Sequence, residues 1–470
     1  MVHQFKNNGF NIVMDVNSGA IHVVDDIVYD IIALYEGNSE DQITAQLKDS
    51  YDEADIHEGY AEVTELKDSG CLFTEDHYLP YLKSFDSREI IVKALCLNVV
   101  HDCNLGCRYC FAGEGEYKGE RGMMSYETGK KAFDFLVANS GSRNHLEVDF
   151  FGGEPTMNFD VVKKLVEYGR ELEKKHNKEF RFTLTTNGLL LNDEMLDYIN
   201  KEMSNVVLSI DGRRSVNDMM RPFRNGAGGS VYDLIVPKYQ KVAESRGQIN
   251  YYVRGTFTHN NLDFAEDVLH LVDLGFKQIS IEPVVAPPEE DYAIKEEDIP
   301  AIMKEYDRLA VEIVKRKKEG RDFNFFHFMI DLDGGPCVAK RLQGCGSGCE
   351  YVSIVPNGDI YPCHQFVGTE GMKMGDVDTG IVTDDLRHKF HTSNVYTKPE
   401  CQDCFAKFYC SGGCAANSYN FTGDINGNYE IGCDMQRKRV ECSIMIKAAE
   451  AQMRAESGIQ LERLPAAFKC

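Results

Sequence analysis

The stretch KALCLNVVHDCNLGCRYCF, Lys93 to Phe111, decides how this chain is read. Its first eight residues form an apolar run with the character of a buried strand, and the rest presents Cys103, Cys107 and Cys110 at the spacing Cys-x3-Cys-x2-Cys. Three ligands fall one short of a tetrahedral structural zinc site, whereas a 4Fe–4S cube held by three thiolates keeps one iron open. A strand that delivers this triplet at its C-terminal end predicts a cluster with a vacant position. A structural metal knot and plain buried thiols are the competing readings.

Outward from this stretch, residues 90–320 alternate strand and helix. KALCLNVV, HLEVDFFG, FRFTLTTNG, NVVLSIDG, NYYVRGTFT and KQISIEPV each precede a helical pattern or an inserted loop. Six such units predict an α/β fold built on a partial (β/α)6 barrel, with functional residues at the strand C-termini and the loops that follow. The cysteine triplet follows the first strand. Gly152, Gly153, Glu154 and Pro155 follow the second, Thr185 to Gly188 the third, and Ser209 to Gly212 the fourth, so all converge on one face.

The flanks differ from this centre. In residues 1–85, FNIVMDV and AIHVV alternate like two strands around the turn NSG, and three helical patterns begin near Asp25, Ser39 and Asp55, the last ending at Gly70. Two strands with three helices predict a winged helix-turn-helix-like domain. The segment is acid-rich and lacks a basic recognition stripe, so peptide recognition, with an extended peptide added to a strand edge, suits it better than DNA. Residues 325–450 are short segments rich in Gly, Cys and aromatic residues, with few long amphipathic stretches before ECSIMIKAAEAQMRAES, and such a region needs metal to hold it. Residues 451–470 read as a tail, and Cys470 as no ligand.

Composition narrows the classes. Over 470 residues, 75 acidic against 51 basic side chains leave a net charge of −24, which disfavours a sequence-independent grip on nucleic acid or anionic lipid. The first residues lack a signal-peptide core, and no apolar run reaches the roughly 18 residues that span a bilayer. A cytoplasmic location is therefore expected. Sixteen cysteines in such a chain read as reduced metal ligands rather than disulfides.

The triplet in HDCNLGCRYCF and the motif FFGGEP together resemble the radical S-adenosylmethionine (SAM) superfamily. The resemblance implies that Cys103, Cys107 and Cys110 hold a 4Fe–4S cluster whose open iron binds SAM, with Tyr109 beside the adenine. Gly152, Gly153, Glu154 and Pro155 then form the cradle for the SAM amino group, the glycines admitting backbone and Glu154 accepting its protons. A mere βα turn is the bland alternative for the glycine pair. Asn187, Ser209 and Asp211 stand at strand ends from which they could meet the ribose or carboxylate of SAM, and Arg221 or Arg254 could pair with its carboxylate. Solvated arginines and satisfied turn residues are the equal alternative.

A second array is Cys345-x12-Gly358-x4-Cys363, then Cys401-x2-Cys404-x5-Cys410-x3-Cys414, then Cys433. It is similar to the SPASM extension of peptide-modifying radical SAM enzymes. That resemblance implies one auxiliary 4Fe–4S cluster on Cys401, Cys404, Cys410 and Cys433 and another on Cys345, Cys363 and Cys414, three clusters in all. The inner auxiliary set is again one ligand short: Cys337 could complete it, or a substrate cysteine could bind there. A zinc ribbon is the rival, but it leaves cysteines idle. Cys349, Cys71, Cys96 and Cys442 read as packed bystanders.

From NSGAIHVVDD through FFGGEP and NFFHFMIDL to FAKFYCSGGCAANSYNF, the chain resembles the maturases of SCIFF peptides, named for six cysteines in forty-five residues, in the thioether-forming ranthipeptide and sactipeptide class. This implies an anaerobic enzyme whose N-terminal domain binds the leader of a cysteine-rich precursor peptide, with an electron donor such as flavodoxin or ferredoxin. Sulfatase maturases usually carry an acid directly after the cysteine matching Cys363, where this chain has His364, so oxidation to formylglycine is the second reading. A non-catalytic iron–sulfur redox sensor is the third.

Overall fold

The computed structural model describes residues 1–82, 86–119, 121–226, 228–332 and 338–456; Cys337 and residues 457–470 lie outside them. The N-terminal region opens with three antiparallel strands, β1 (Val2–Asn7), β2 (Phe10–Asp15) and β3 (Ile21–Val24), in that spatial order. The sequence expectation had two strands. The missed one, β1, joins β2 through Asn8 and Gly9, both at positive φ (48° and 85°), the conformation that an Asn-Gly hairpin turn requires. That dipeptide was the available signal, masked by the polar alternation of VHQFKN.

Three helices follow: α1 (Asp26–Tyr35), α2 (Glu40–Leu47) and α3 (Glu53–Asp68). Asp25 caps α1 by accepting from Val28 N, and Ser39 forms a reciprocal capping box with Gln42 at α2. The third helix starts earlier than expected, with Asp52 at the cap position and Asp55 inside the first turn, where its charge suits the helix dipole. Val13 of β2 packs with Val28, Ile31, Ile32, Ile43, Ile56 and Val63 in a core of their own.

All six expected parallel strands are present: β4 (Ala94–His101), β6 (His145–Gly152), β7 (Glu179–Thr186), β8 (Asn205–Ser209), β9 (Tyr251–Phe257) and β10 (Gln278–Pro283), side by side in chain order. A two-residue β5 (Gly122–Met123) pairs antiparallel with the end of β4. Between them run α4 (Tyr126–Asn139), α5 (Phe159–His176), α6 (Asp193–Glu202), α7 (Arg214–Met220), α8 (Val231–Ser245) and α9 (Phe264–Asp273), with α10 (Ile299–Lys318) after β10. Strand parity sorts the side chains. Leu146, Val148, Phe150, Phe180, Phe182, Leu184, Val206, Leu208 and Val253 enter the main apolar core, whereas Phe151, Thr185, Ser209, Arg254 and Thr256, of the opposite parity, line a cavity.

The parallel sheet does not stop at the expected boundary near residue 320. β11 (Asn324–Phe325) extends it at one edge, and at the other β12 (Tyr351–Ile354) pairs in parallel with β4, followed by antiparallel β13 (Asp359–Tyr361), β14 (Gly375–Asp376) and β15 (Gly380–Ile381). The cysteine-rich region is thus stitched onto the first barrel strand. Its helices are mostly short: α11 (Val338–Gln343), α12 (Asp384–Thr392), α13 (Pro399–Gln402), α14 (Lys407–Cys410) and α15 (Ala415–Thr422).

The exception is α16 (Glu430–Glu456), 27 residues long. It begins eleven residues before the amphipathic stretch recognised in the sequence and runs past residue 451, where a tail was expected. Tertiary contacts hold its polar first half: Lys438 Nζ meets Asp307 at 2.6 Å, and Arg439 Nε donates to Tyr306 Oη at 2.9 Å, both on α10. Its other side meets β1, where His3 contacts Glu441 at 3.0 Å. Among the described residues no helix is long and apolar enough to cross a membrane.

Candidate active site

A cavity of about 280 Å³ opens at the C-terminal ends of the barrel strands. Cys103, Cys107, Cys110 and Tyr109 line it from the loop after β4; Gly152, Gly153 and Glu154 from the end of β6; Asn187 and Ser209 from the ends of β7 and β8; Arg221 and Arg254 from beyond them. Pro155 and Asp211 do not line it. Pro155 starts the turn that leads into α5 and is buried.

The cysteine loop is zipped onto residues 220–224. Gly106 N donates to Pro222 O and Arg108 N to Met220 O, each at 2.9 Å. Arg224 then clamps it, donating to Cys103 O at 3.0 Å and pairing with Asp102 and Glu114. Nothing in the local sequence marked Arg224 for this role. Burial pushes the Cys103 thiol up to about 11 and the Cys107 thiol up to about 12, so ligation by these groups must release protons.

The two glycines also answer to a close backbone contact. A Cβ on Gly152 would stand 2.2 Å from Val100 O, and one on Gly153 would stand 2.0 Å from Asp102 O. What they admit is the backbone that carries the cysteine loop, so β6 and that loop lie against each other with no side chain between. Gly153 N donates to Val100 O and Glu154 N to Asp102 O, both at 2.9 Å, and seal the contact.

Glu154 is 1% exposed, and its carboxylate accepts from four donors: the amide and hydroxyl of Thr156, Thr186 Oγ1 and Asn187 N. Burial pushes its carboxyl up against these bonds, which favour the charged form. The Asn187 side chain is likewise engaged: Nδ2 donates to Asn104 Oδ1 at 2.7 Å and lies 3.6 Å from Cys103 Sγ. Asp211 is fully buried and faces inward. It accepts from Tyr109 Oη at 2.7 Å and from Thr256 N at 3.0 Å, and burial pushes its carboxyl up to about 6 against the nearby Arg221 guanidinium. Arg221 donates to Tyr109 Oη at 2.8 Å, but its Nε is buried with no partner. Arg254, the other arginine singled out, is paired with Glu282 at 2.7 Å.

Of the C-terminal contribution to this cavity, the sequence reading singled out His364 and missed Gln365 and Asn417. His364, Gln365 and Asn417 line the same space as the barrel cysteines. His364 sits between the rings of Phe111 and Phe151, hydrogen-bonded to Tyr351 Oη at 3.1 Å, and burial pushes its imidazole down to about 4, so it is neutral near pH 7. Gln365 Nε2 reaches within 4.0 Å of Cys414 Sγ.

The array cysteines gather in two groups whose charges act on one another. Burial first, then Cys414 and Cys345, pushes the Cys363 thiol up; Cys414 responds to burial and then to Cys345 among the thiols. In the second group, burial and then Cys410 and Cys404 raise Cys401 to about 11, and burial, Cys410 and Cys401 raise Cys433 to about 12. Among the described residues no three His, Cys, Asp or Glu side chains are gathered as a site for one metal ion. The thiols of the loop and of the array are a donor set whose chemistry fits iron–sulfur ligation, and beside the loop the buried Arg221 Nε has no partner. Cys349 shares an apolar cluster with Cys363 and has its Sγ 3.6 Å from Arg387 O, and Cys96 and Cys442 are buried beside Asn98 and Asp307.

Residues 97–228 match the Radical SAM superfamily. An uncharacterized protein of Methanocaldococcus jannaschii is 31% identical over 192 residues, which cover 41% of this chain and 62% of that protein, so the alignment spans less than two thirds of the relative's length. Among solved structures, anSMEcpe with bound AdoMet superposes with a TM-score of 0.63 at 19% identity, over 76% of this chain and 99% of that one. Streptococcus suis SuiB bound to S-adenosylmethionine superposes with a TM-score of 0.51 at 18% identity, over 92% and 98% of the two chains. SuiB is also known bound to precursor peptide SuiA. The chain has the α/β radical SAM fold, with its mixed, largely parallel sheet.

Proposed function

We propose that this chain is a radical SAM maturase that joins a cysteine sulfur to a carbon within a ribosomally made, cysteine-rich precursor peptide. The observation that carries the reading is the shared cavity: the barrel cysteines line one side, while His364 and Gln365, next to Cys363 and within reach of Cys414, line another. A peptide held there touches both a radical source and an auxiliary site. When bound, SAM and its cluster supply a radical that takes one hydrogen atom from the acceptor carbon, and the auxiliary clusters supply a sink for the remaining electron. The product has then lost two hydrogens, one as that atom and one as the thiol proton.

Each part of the chain has a share in this reading. Cys103, Cys107 and Cys110 hold the radical-forming cluster; the unpaired Arg221 Nε favours Arg221 over the already paired Arg254 as the partner of the SAM carboxylate. Glu154, with four internal donors, anchors the end of β7 at Thr186 and Asn187 to the β6 turn. Among the described residues β3 of the N-terminal sheet pairs only with β2, and its other edge suits an added leader strand. SuiB with precursor peptide SuiA is a related fold that binds such a partner.

Formylglycine formation is the second reading, and the fold shared with anSMEcpe favours keeping it. Anaerobic co-expression with a candidate cysteine-rich peptide, followed by mass spectrometry, separates the two. A thioether lowers the mass by two hydrogens and blocks alkylation of one thiol; formylglycine made from cysteine loses the sulfur. A cluster-replete sample that releases no 5′-deoxyadenosine from SAM under reduction would sink both enzyme readings and leave the redox sensor.

A further inference from the structure

Two lysines are buried in the cysteine-rich region, and they differ in their partners. Lys407, 5% exposed, reaches Asp76 at 3.5 Å, donates to Gln402 O at 3.1 Å and lies over the Tyr396 ring. Lys398, 3% exposed, donates to Gly412 O at 2.7 Å, and its stem packs against Gly412. Among the described residues no carboxylate pairs with it. A buried ammonium with one neutral acceptor is costly unless an anion is supplied.

Burial pushes the Lys398 ammonium down, and Cys401, Cys410, Cys414 and Cys433, once ionised as cluster ligands, would push it back up. They come from both auxiliary sets, since Cys414 belongs with Cys345 and Cys363 and the other three with Cys404. Cys345 lines the same small cavity as Lys398 and Gly412. The lysine is therefore near members of both sets, where thiolate-bound clusters, net anions, would sit.

We infer that Lys398 is the built-in counter-ion of the auxiliary clusters, and that its charge makes them easier to reduce. The inference rests on the proposed cluster assignment of the cysteine array. Each electron that enters a cluster from a reductant adds one negative charge, so a fixed cation nearby stabilises the reduced form more than the oxidised form and raises the potential. This suits a centre that must take an electron from a substrate rather than deliver one to SAM.

The test compares full-length wild type with Lys398→Met and Lys398→Arg, each reconstituted anaerobically with iron and sulfide. Iron is counted, and the auxiliary signals are followed by electron paramagnetic resonance during a redox titration with dithionite. The expected result is full iron in all three proteins, a tenfold or greater loss in the one-electron reduction equilibrium of the Met variant, a downward shift of about 59 mV or more, and recovery by Arg. Loss of auxiliary iron in Met but not in Arg also supports a charge that holds the clusters. Full iron with unmoved potentials in Met overturns the inference, as does equal loss of iron in Met and Arg. Wild type that takes up the iron of one cluster only is a separate result, and it refutes the auxiliary-cluster assignment itself.

Discussion

The cysteine loop of the barrel and the cysteine array of the C-terminal region offer the same ligand on opposite supports. The loop hangs from β4, all eight residues of which are buried, and is fastened by backbone bonds to residues 220–224. The array spans residues 345–433 on short turns and on helices of four residues such as α13 and α14, with only Cys433 on a long helix, in the first turn of α16. The small apolar cluster beneath it, Cys349, Cys363, Phe366, Met372, Phe390, Ala416 and Ile425, contains a proposed ligand itself. A core that exists without the ligands carries one site; at the other the ligands are part of the core. Metal should accordingly be a chemical addition in the barrel and a structural requirement in the array.

The sharpest way to break this comparison starts at the loop. Cys107→Ala is expected to abolish 5′-deoxyadenosine formation while leaving the circular dichroism spectrum and melting temperature of the barrel nearly unchanged; a collapsed barrel would show that the loop, too, is structural. Cys410→Ala removes a half-buried member of the outer set and is expected to lose about four iron atoms and to expose residues 399–433 to protease. If iron falls while protease resistance persists, the array needs no metal to stay folded. Gly153→Ala puts a methyl 2.0 Å from Asp102 O, and a loss of about 3 kcal/mol or more in denaturant unfolding is expected, with weakened SAM binding. Unchanged SAM binding there would detach the β6 turn from the site. The smallest effect is that of Cys349→Ala, about 1 kcal/mol with the iron count unchanged; a lost cluster would move Cys349 from the packing to the ligands.

Legibility followed locality. The apolar run of β4, the six strand patterns and the spacings Cys-x3-Cys-x2-Cys and Gly-Gly-Glu-Pro are properties of consecutive residues, and they read directly. β1 was overlooked because its six residues are mostly polar, although Asn8-Gly9 announced the hairpin. The pairing of β12 with β4 joins Tyr351 to Ala94 across more than 250 positions, and no pattern in either segment names the other. The same holds at the site. Asp211 stood at a strand end, as a ligand contact would, yet its carboxylate is turned to Tyr109 and Thr256; His364 was marked by its place after Cys363, whereas Arg224, Gln365 and Asn417 carried no local mark of theirs.

By itself the sequence determined the ligand chemistry and the strand order of the barrel, because thiol spacing is set by covalent geometry and strand burial by period-two alternation. Only the tertiary structure decided that Gly152 and Gly153 answer to the backbone of Val100 and Asp102, that Arg221 keeps a free donor while Arg254 does not, and that Lys398 is buried without a carboxylate. Each of these depends on which atom of a distant segment fills the space beside a given group. Packing settles that, and the order of residues along one segment does not encode it.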